Sequence, residues 1–262
     1  MSYPFYSSYL LQQDVLKKAA PEELLTITRI FNEKAETPLT LNHLADEILK
    51  AGGNSIANKL RGHGVPYAEL LFDTAKTLKI DDSQSLNSLT STGVSVDEMD
   101  RRIFNPVVSS DVTATWKSAL EAYLVRKEKE IISKFIEDAY SRMSPEQRQD
   151  IDSQVQKLAE QLPGKNLKGL GSSAALLLVA NAGGFATYML MSTVISTLTL
   201  GAASFTVYTA ASTALSVVLG PVGWTALGLA TVYKLASPNQ RKSLEAVVGV
   251  VMIRGRLSAS NS

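Results

Sequence analysis

The order of apolar and polar positions divides the chain into amphipathic helical segments and one long apolar stretch. Apolar residues recur at helical spacing over 21–31, 41–51, 67–80 and 115–143, a pattern typical of helices with one buried face. In the longest segment the apolar stripe consists of Trp116, Leu120, Tyr123, Leu124, Ile131, Phe135 and Ile136. Strand and hairpin signals are scarce, so the pattern predicts an all-α fold.

Local signals mark where several of these helices begin. Pro21 stands at a first-turn position, and Thr40 precedes the next apolar run, where its hydroxyl is placed to cap the helix. Ser144–Gln147 has a cap residue, a proline and a glutamine in the order of a capping box. Ser237–Gln240 is similar and opens a last helix over 241–257. In the long helix, the sequence "RKEKE" supplies opposite charges at helical spacing.

The apolar stretch extends over positions 169–233 and contains no charged side chain. A membrane-spanning helix needs about 20 mainly apolar residues, so this stretch is long enough for two spans. We expect a helical hairpin with arms of about 173–200 and 202–233. The predicted turn and helix breaks are Gly183, Gly184, Gly201, Gly220 and Pro221.

Basic side chains lie on both sides of this stretch. Lys165 and Lys168 precede it, and Lys234, Arg241 and Lys242 follow it. Because basic flanks are retained on the cytoplasmic side of a membrane, both flanks should lie on that side and the number of crossings should be even. The sixteen Ser or Thr and eight Gly residues of the stretch also allow helix backbones to approach closely in lipid.

We therefore expect two parts: a soluble helical domain over 1–163, and over 164–262 an apolar, glycine-rich helical hairpin with a basic C-terminal helix. The charge balance supports this division, since positions 1–168 hold 21 basic and 24 acidic side chains while the remainder has a net charge of +4. The alternative is a soluble bundle in which amphipathic helices wrap the apolar ones.

The most distinctive polar segment is Gly52–Ile80, "GGNSIANKLRGHGVPYAELLFDTAKTLKI". A helix start with free amides beside basic side chains suits a phosphate, a carboxylate or a protein partner. The candidate binding residues are Asn54, Asn58, Lys59, Arg61, His63 and Tyr67. The alternative is a corner between two helices, in which the glycines supply unusual backbone angles, Asn54 caps a helix and the basic side chains face solvent.

Several classes of function are excluded or disfavoured by composition. The absence of cysteine excludes a disulfide framework, a thiol nucleophile and a thiolate metal site. The sequence has two histidines without matching carboxylates, so we expect no metal site. It contains no nucleotide-binding fingerprint, so we expect no cofactor. The basic residues are too few and too scattered for a nucleic-acid reader. No secretory signal peptide is expected, and we expect no enzyme, although chemistry at Arg61 and His63 stays an open alternative.

The segment Gly52–Ile80 closely resembles the corresponding segment of the YaaW family of uncharacterised bacterial proteins. Weaker similarity covers "APEELLTITRIF" near the N-terminus and "LGPVGWTALGLA" before the basic final helix. The family brings no biochemical activity with it, so the resemblance implies no catalytic residues. Some members are distantly similar to helical assembly chaperones. The shared "RGHG" block implies a ligand or partner role for Asn54, Lys59, Arg61 and His63.

These features predict a non-enzymatic, membrane-associated bacterial protein. Its hairpin would anchor in or insert into the membrane, with pore formation as one version, and membrane lipid would be its partner. We expect it on the cytoplasmic side of the inner membrane, or in the cytoplasm with conditional insertion. The alternative is a soluble, all-helical assembly or chaperone-like module that binds a protein partner through Gly52–Ile80.

Overall fold

The computed structural model describes residues 6–52, 64–80, 113–160, 190 and 238–259. Over these ranges the chain is helical and contains no strand, which confirms the predicted all-α class. The α-helices are α1 (Tyr6–Leu10), α2 (Pro21–Phe31), α3 (Leu41–Ala51), α4 (Tyr67–Thr77), α5 (Ala114–Ser141), α6 (Pro145–Glu160) and α7 (Pro238–Ala259).

The first helical segment is one that the apolar pattern does not predict. After α1 the chain continues as a π-helical turn, Leu11–Val15, and a short 3₁₀ turn, Leu16–Lys18. Its buried apolar side chains are Leu10, Leu11, Val15 and Leu16. The backbone N–H of Leu16 reaches Leu11 O, five residues back, instead of making only the i→i+4 bond of an α-helix. The winding of this segment therefore departs from the 3.6-residue period by which a helix is predicted.

Two predicted helix starts are confirmed by their capping hydrogen bonds. At the start of α3, the Thr40 hydroxyl accepts a hydrogen bond from the backbone N–H of His43 at 3.4 Å. At the start of α6, Ser144 and Gln147 form the predicted reciprocal pair: the backbone N–H of Gln147 donates to Ser144 Oγ at 3.3 Å, and that of Ser144 donates to Gln147 Oε1 at 3.0 Å. Local sequence is sufficient here because both partners lie within three residues.

Helix α4 ends at Thr77, so the prediction of a helix to residue 80 is wrong for the last three positions. Lys79 has φ of 59°, in the left-handed region. Its N–H donates to Lys76 O and the N–H of Ile80 donates to Ala75 O, each at 3.0 Å. This is the Schellman arrangement that satisfies the last carbonyls of a helix. The usual sequence signal for it is glycine, and here lysine occupies that position.

The chain divides into two compact units, each assembled from separated stretches. Unit 1 comprises Met1–Ala19, Leu39–Ile131 and Leu235–Val247. Unit 2 comprises the remaining stretches, with Ala20–Pro38 and Val248–Ser262 at its two ends. The predicted boundary between residues 163 and 164 lies outside the described residues, so the division into two consecutive domains stays a prediction.

The apolar stripe of α5 is buried as predicted, and each of its seven side chains is at most 2% exposed. Charged side chains of a helix usually face solvent, but Lys127 and Glu128 beside this stripe are buried. Lys127 Nζ lies 3.0 Å from Glu130 Oε2, and Arg126 Nε lies 3.1 Å from Glu130 Oε1. Burial of a charged side chain is tolerated when it is paired and hydrogen-bonded.

In unit 2, the turn between α5 and α6 is fastened by Arg148. Its guanidinium donates to the carbonyl oxygens of Tyr140 at 3.1 Å and Ser141 at 2.6 Å, which are among the last acceptors of α5. The Tyr140 hydroxyl donates to Asp152 Oδ1 at 2.6 Å. Burial, and secondly this hydrogen bond, raise the pKa of Tyr140 from 10.0 to about 12.

This pKa predicts an alkaline loss of stability. Below pH 10 the phenol is protonated in both the folded and the unfolded chain. Between pH 10 and about 12 the unfolded chain loses this proton while the folded chain retains it, so the free energy of unfolding falls as pH rises through this window. In Tyr140→Phe the fall should be shallower. Denaturant titrations of both proteins at several pH values between 9 and 12 measure this, and parallel profiles would contradict it.

Candidate functional site

The α3–α4 corner, which we define as residues 49–52 and 64–67, is where the described parts of the predicted binding segment meet. The backbone N–H of Val65 donates to Leu49 O at 3.1 Å. A Cβ on Gly64 would overlap the carbonyl carbon of Leu49, and one on Gly52 would lie 2.6 Å from Val65 Cγ2. Gly64 is therefore packed against the end of α3, and Gly52 against the residue that follows Gly64.

In the alternative interpretation of this segment as a corner, the glycines supply unusual backbone angles, and this is wrong for the two that are described. Gly52 has φ of −78° and ψ of 161°, an extended conformation open to any residue, and the φ of Gly64 also lies outside the left-handed region. Both are needed for close approach, because the chain beside them leaves no room for a side chain. Sequence alone does not distinguish these two uses of glycine.

Most of the predicted site lies outside the described residues. This applies to Asn54, Asn58, Lys59, Arg61 and His63, whose assignment to a ligand or partner stays a prediction. It applies equally to the predicted hairpin breaks at Gly183, Gly184, Gly201, Gly220 and Pro221. No helix within the described ranges is both long enough and apolar enough to cross a membrane.

Tyr67 is the predicted binding residue that the structure does describe, and it is completely buried. Its hydroxyl donates to Oε1 of Glu128 on α5 at 2.9 Å, and the Glu128 side chain is itself buried. A buried carboxylate requires hydrogen-bond donors, and Tyr67 supplies one. The position that the sequence assigns to a binding surface thus contributes a polar contact within unit 1.

The first turn of α4 is capped by residues from the start of the chain. Pro66 precedes the helix and has no side-chain donor or acceptor for it. Instead, the backbone N–H of Tyr67 donates to Ser8 Oγ at 3.3 Å, and that of Ala68 donates to Ser7 Oγ at 3.4 Å. Both hydroxyls are buried. Because proline has no side-chain group that can cap a helix, Pro66 was the sequence signal that another segment satisfies these amides.

A third distant segment reaches the corner from α7. Ser243 Oγ lies 2.7 Å from Ala51 O and 2.9 Å from Asn239 O. Ala51 ends α3, and its carbonyl is one of the acceptors that a helix leaves without an internal partner. The hydroxyl of Ser243 therefore satisfies the C-terminal end of α3 from the far end of the sequence.

Chemically, the described part of the corner is a set of buried hydrogen bonds. Ser7, Ser8 and Ser243 bind backbone groups, and Tyr67 binds a carboxylate. No three His, Asp or Glu side chains in the described ranges are placed together to hold a metal ion. The arrangement is suited to fixing the two ends of the segment 53–63, which carries five of the candidate binding residues.

Comparison with known proteins finds relatives whose similarity covers from 57% to 91% of this chain. A UPF0174 protein of Helicobacter pylori strain J99 is 27% identical over 248 residues, covering 91% of this chain and 99% of the relative. A UPF0174 protein of Helicobacter pylori strain 26695 is 27% identical, covering 82% of this chain and 88% of the relative. The UPF0174 protein YaaW of Escherichia coli K12 is 24% identical over 178 residues, covering 57% of this chain and 60% of the relative. No family model and no solved structure matches the chain.

Replacing Tyr67 with phenylalanine should destabilise the protein, because the buried Glu128 carboxylate then loses a hydrogen-bond donor. The change keeps the buried ring but removes the donor to Glu128. Leaving a buried polar group without a hydrogen bond lowers the free energy of unfolding by about 2 kcal/mol. Tyr9→Phe is the matched control, because Tyr9 is 47% exposed and surface changes usually alter stability by less than about 0.5 kcal/mol. Denaturant unfolding measures both variants. Equal stabilities would show that the Tyr67 hydroxyl contributes nothing.

Proposed function

This chain belongs to the UPF0174 family, and we propose that it is a non-enzymatic, membrane-associated bacterial protein. Residues 169–233 anchor in the membrane as a helical hairpin, with the helical body on the cytoplasmic side. The observation that carries this proposal is the absence of any charged side chain throughout 169–233, between basic flanks. A spanning helix requires such a run, since a charged side chain at its centre costs about 3 kcal/mol.

The position of α7 supports an even number of crossings. Ser243 on α7 follows the charge-free run, and Ala51 on α3 precedes it. Their direct hydrogen bond, with both residues buried in unit 1, requires both segments to be on the same side of any membrane that the run enters. The hydrogen bond thus supports the same even number of crossings as the basic flanks.

Charged substitutions in the two arms provide the test. In cells expressing the full chain, the wild type should remain in membranes washed with alkaline carbonate. A variant with Val194→Lys and Val217→Lys should become extractable, because each arm then carries a charge. The matched control, Thr115→Lys with Ser118→Lys, adds the same charges at exposed positions of α5 and should remain in the membrane.

Complete recovery of the folded wild-type protein in the soluble fraction would disprove the proposal. Leakage of dye from vesicles distinguishes the two versions of membrane association. A pore-forming protein releases the dye, whereas an anchor binds the vesicles and leaves them sealed.

The second candidate function is a soluble assembly or chaperone-like module that binds a protein partner. It is favoured by the α3–α4 corner, where separated helices fix both ends of the segment 53–63. A segment whose ends are fixed has fewer conformations to lose on binding, which improves affinity. Its binding residues would be Asn54, Asn58, Lys59, Arg61 and His63, with the buried Tyr67 supporting the corner from inside.

Substitution of Arg61 and His63 by alanine tests this module. A photo-cross-linking amino acid at Asn58 should capture a partner in the wild type and lose it in the double variant, with the melting temperature unchanged. Lys17→Ala with Lys18→Ala is the control, because these lysines are exposed and basic but lie on another segment. A lower melting temperature with the cross-link retained would instead give Arg61 and His63 a purely structural role.

A further inference from the structure

The buried face of α5 contains a charged turn near its middle. Along this helix the buried positions recur as neighbouring pairs at steps of four residues, and these pairs are Ala119 with Leu120, Tyr123 with Leu124, Lys127 with Glu128, Ile131 with Ile132, and Phe135 with Ile136. All of these pairs are apolar except Lys127 and Glu128, which are 0% and 2% exposed. We call Lys127 and Glu128 the charged layer.

Stability alone does not account for the charged layer. Lys127 Nζ lies 3.0 Å from Glu130 Oε2, and Glu128 Oε1 accepts a hydrogen bond from the Tyr67 hydroxyl at 2.9 Å. Such contacts compensate for the transfer of a charge out of water only in part. Buried charged groups can often be replaced by apolar side chains of similar volume without loss of stability. An apolar pair at 127 and 128 would therefore serve the core at least as well.

The apolar pairs of α5, by contrast, do not define one axial position for the helix. A slide by four residues moves an α-helix about 6 Å along its axis and turns it by about 40°. Each buried pair then comes close to the place that its neighbour occupied. Apolar cores tolerate exchanges of this kind and lose uniqueness before they lose stability. The charged layer interrupts the repetition, because after a slide Lys127 and Glu128 would occupy the place of an apolar pair.

Contacts within unit 1 tie the charged layer to one position of α5. The hydrogen bond from Tyr67 joins α4 to Glu128. Near the start of α5, the ring of Trp116 lies 5.7 Å from that of Tyr6 on α1. Helices α1 and α4 are themselves joined by the hydrogen bonds of Ser7 and Ser8. A slide of α5 would remove the Tyr67 donor from a buried carboxylate, and loss of a donor is most unfavourable for a charged acceptor.

From this arrangement we propose that the charged layer determines the register in which α5 packs against α1 and α4. It acts by making the displaced packings unfavourable, and it adds little to the stability of the observed packing. A single polar residue in the apolar seam of a coiled coil fixes the register in the same way. The proposal concerns the packing of unit 1 and does not depend on membrane association.

Distance measurements between spin labels on the purified full-length chain test the proposal. The chain contains no cysteine, so Lys76→Cys on α4 and Ala122→Cys on α5, both at exposed positions, direct the labels to two known sites. This parent protein should give one narrow distance. Adding Lys127→Met, Glu128→Leu and Tyr67→Phe should give a second distance in about a tenth of the molecules or more. The denaturant midpoint should stay equal or rise.

The matched control is Glu33→Leu with Lys34→Met in the same labelled parent. It also replaces two adjacent opposite charges by apolar side chains, but at exposed positions, and it should retain the single distance. Glu128→Gln should retain it as well, because the amide oxygen still accepts from Tyr67.

One unchanged distance in the triple variant would overturn the proposal, and a lowered denaturant midpoint with that distance would assign the layer to stability instead. If the triple variant does not fold, Glu128→Leu with Tyr67→Phe replaces it. This double variant keeps Lys127 beside Glu130 and removes the contact between α4 and the charged layer. It should give the second distance, and a single distance would again contradict the proposal.

Discussion

A buried helix end must find partners for its backbone amides and carbonyls, and this requirement organises the described part of unit 1. The start of α4 follows Pro66, which has no capping side chain, so Ser7 and Ser8 accept from its first amides. The end of α3 is satisfied by Ser243. An unsatisfied backbone group in a buried setting costs about 1–3 kcal/mol, which makes these small hydroxyls important to the architecture.

The α3–α4 corner shows that part of the predicted binding segment, Gly52–Ile80, also has a structural role. Tyr67 completes a buried hydrogen bond with Glu128, and the two glycines allow backbone segments to touch. These features fix the ends of the segment 53–63, where the basic candidate residues lie. A rigid base and an attached polar segment are compatible with partner binding, because the rigid base reduces the entropy lost when the segment is held.

Helix α7 contacts residues that lie far from it along the sequence. Residues 243–250 of α7 are buried, and Arg256 forms an ion pair with the buried Glu23 of α2. The contacts of α7 with α2 and α3 join the two ends of the sequence. Such contacts are costly to form, since they close long loops of chain.

The sequence by itself determined the helical class, the amphipathic helices and the helix starts at Thr40 and Ser144, because these depend on periodicity and on partners a few residues apart. The tertiary structure decided the π-helical turn after α1, the left-handed residue Lys79 that ends α4, and the burial of Lys127. It also decided the role of Tyr67, which is buried against Glu128, and the burial of residues 243–250 of α7. The burial of Lys127, Tyr67 and α7 depends on side chains that approach from distant parts of the chain, and no local pattern records which segments will meet.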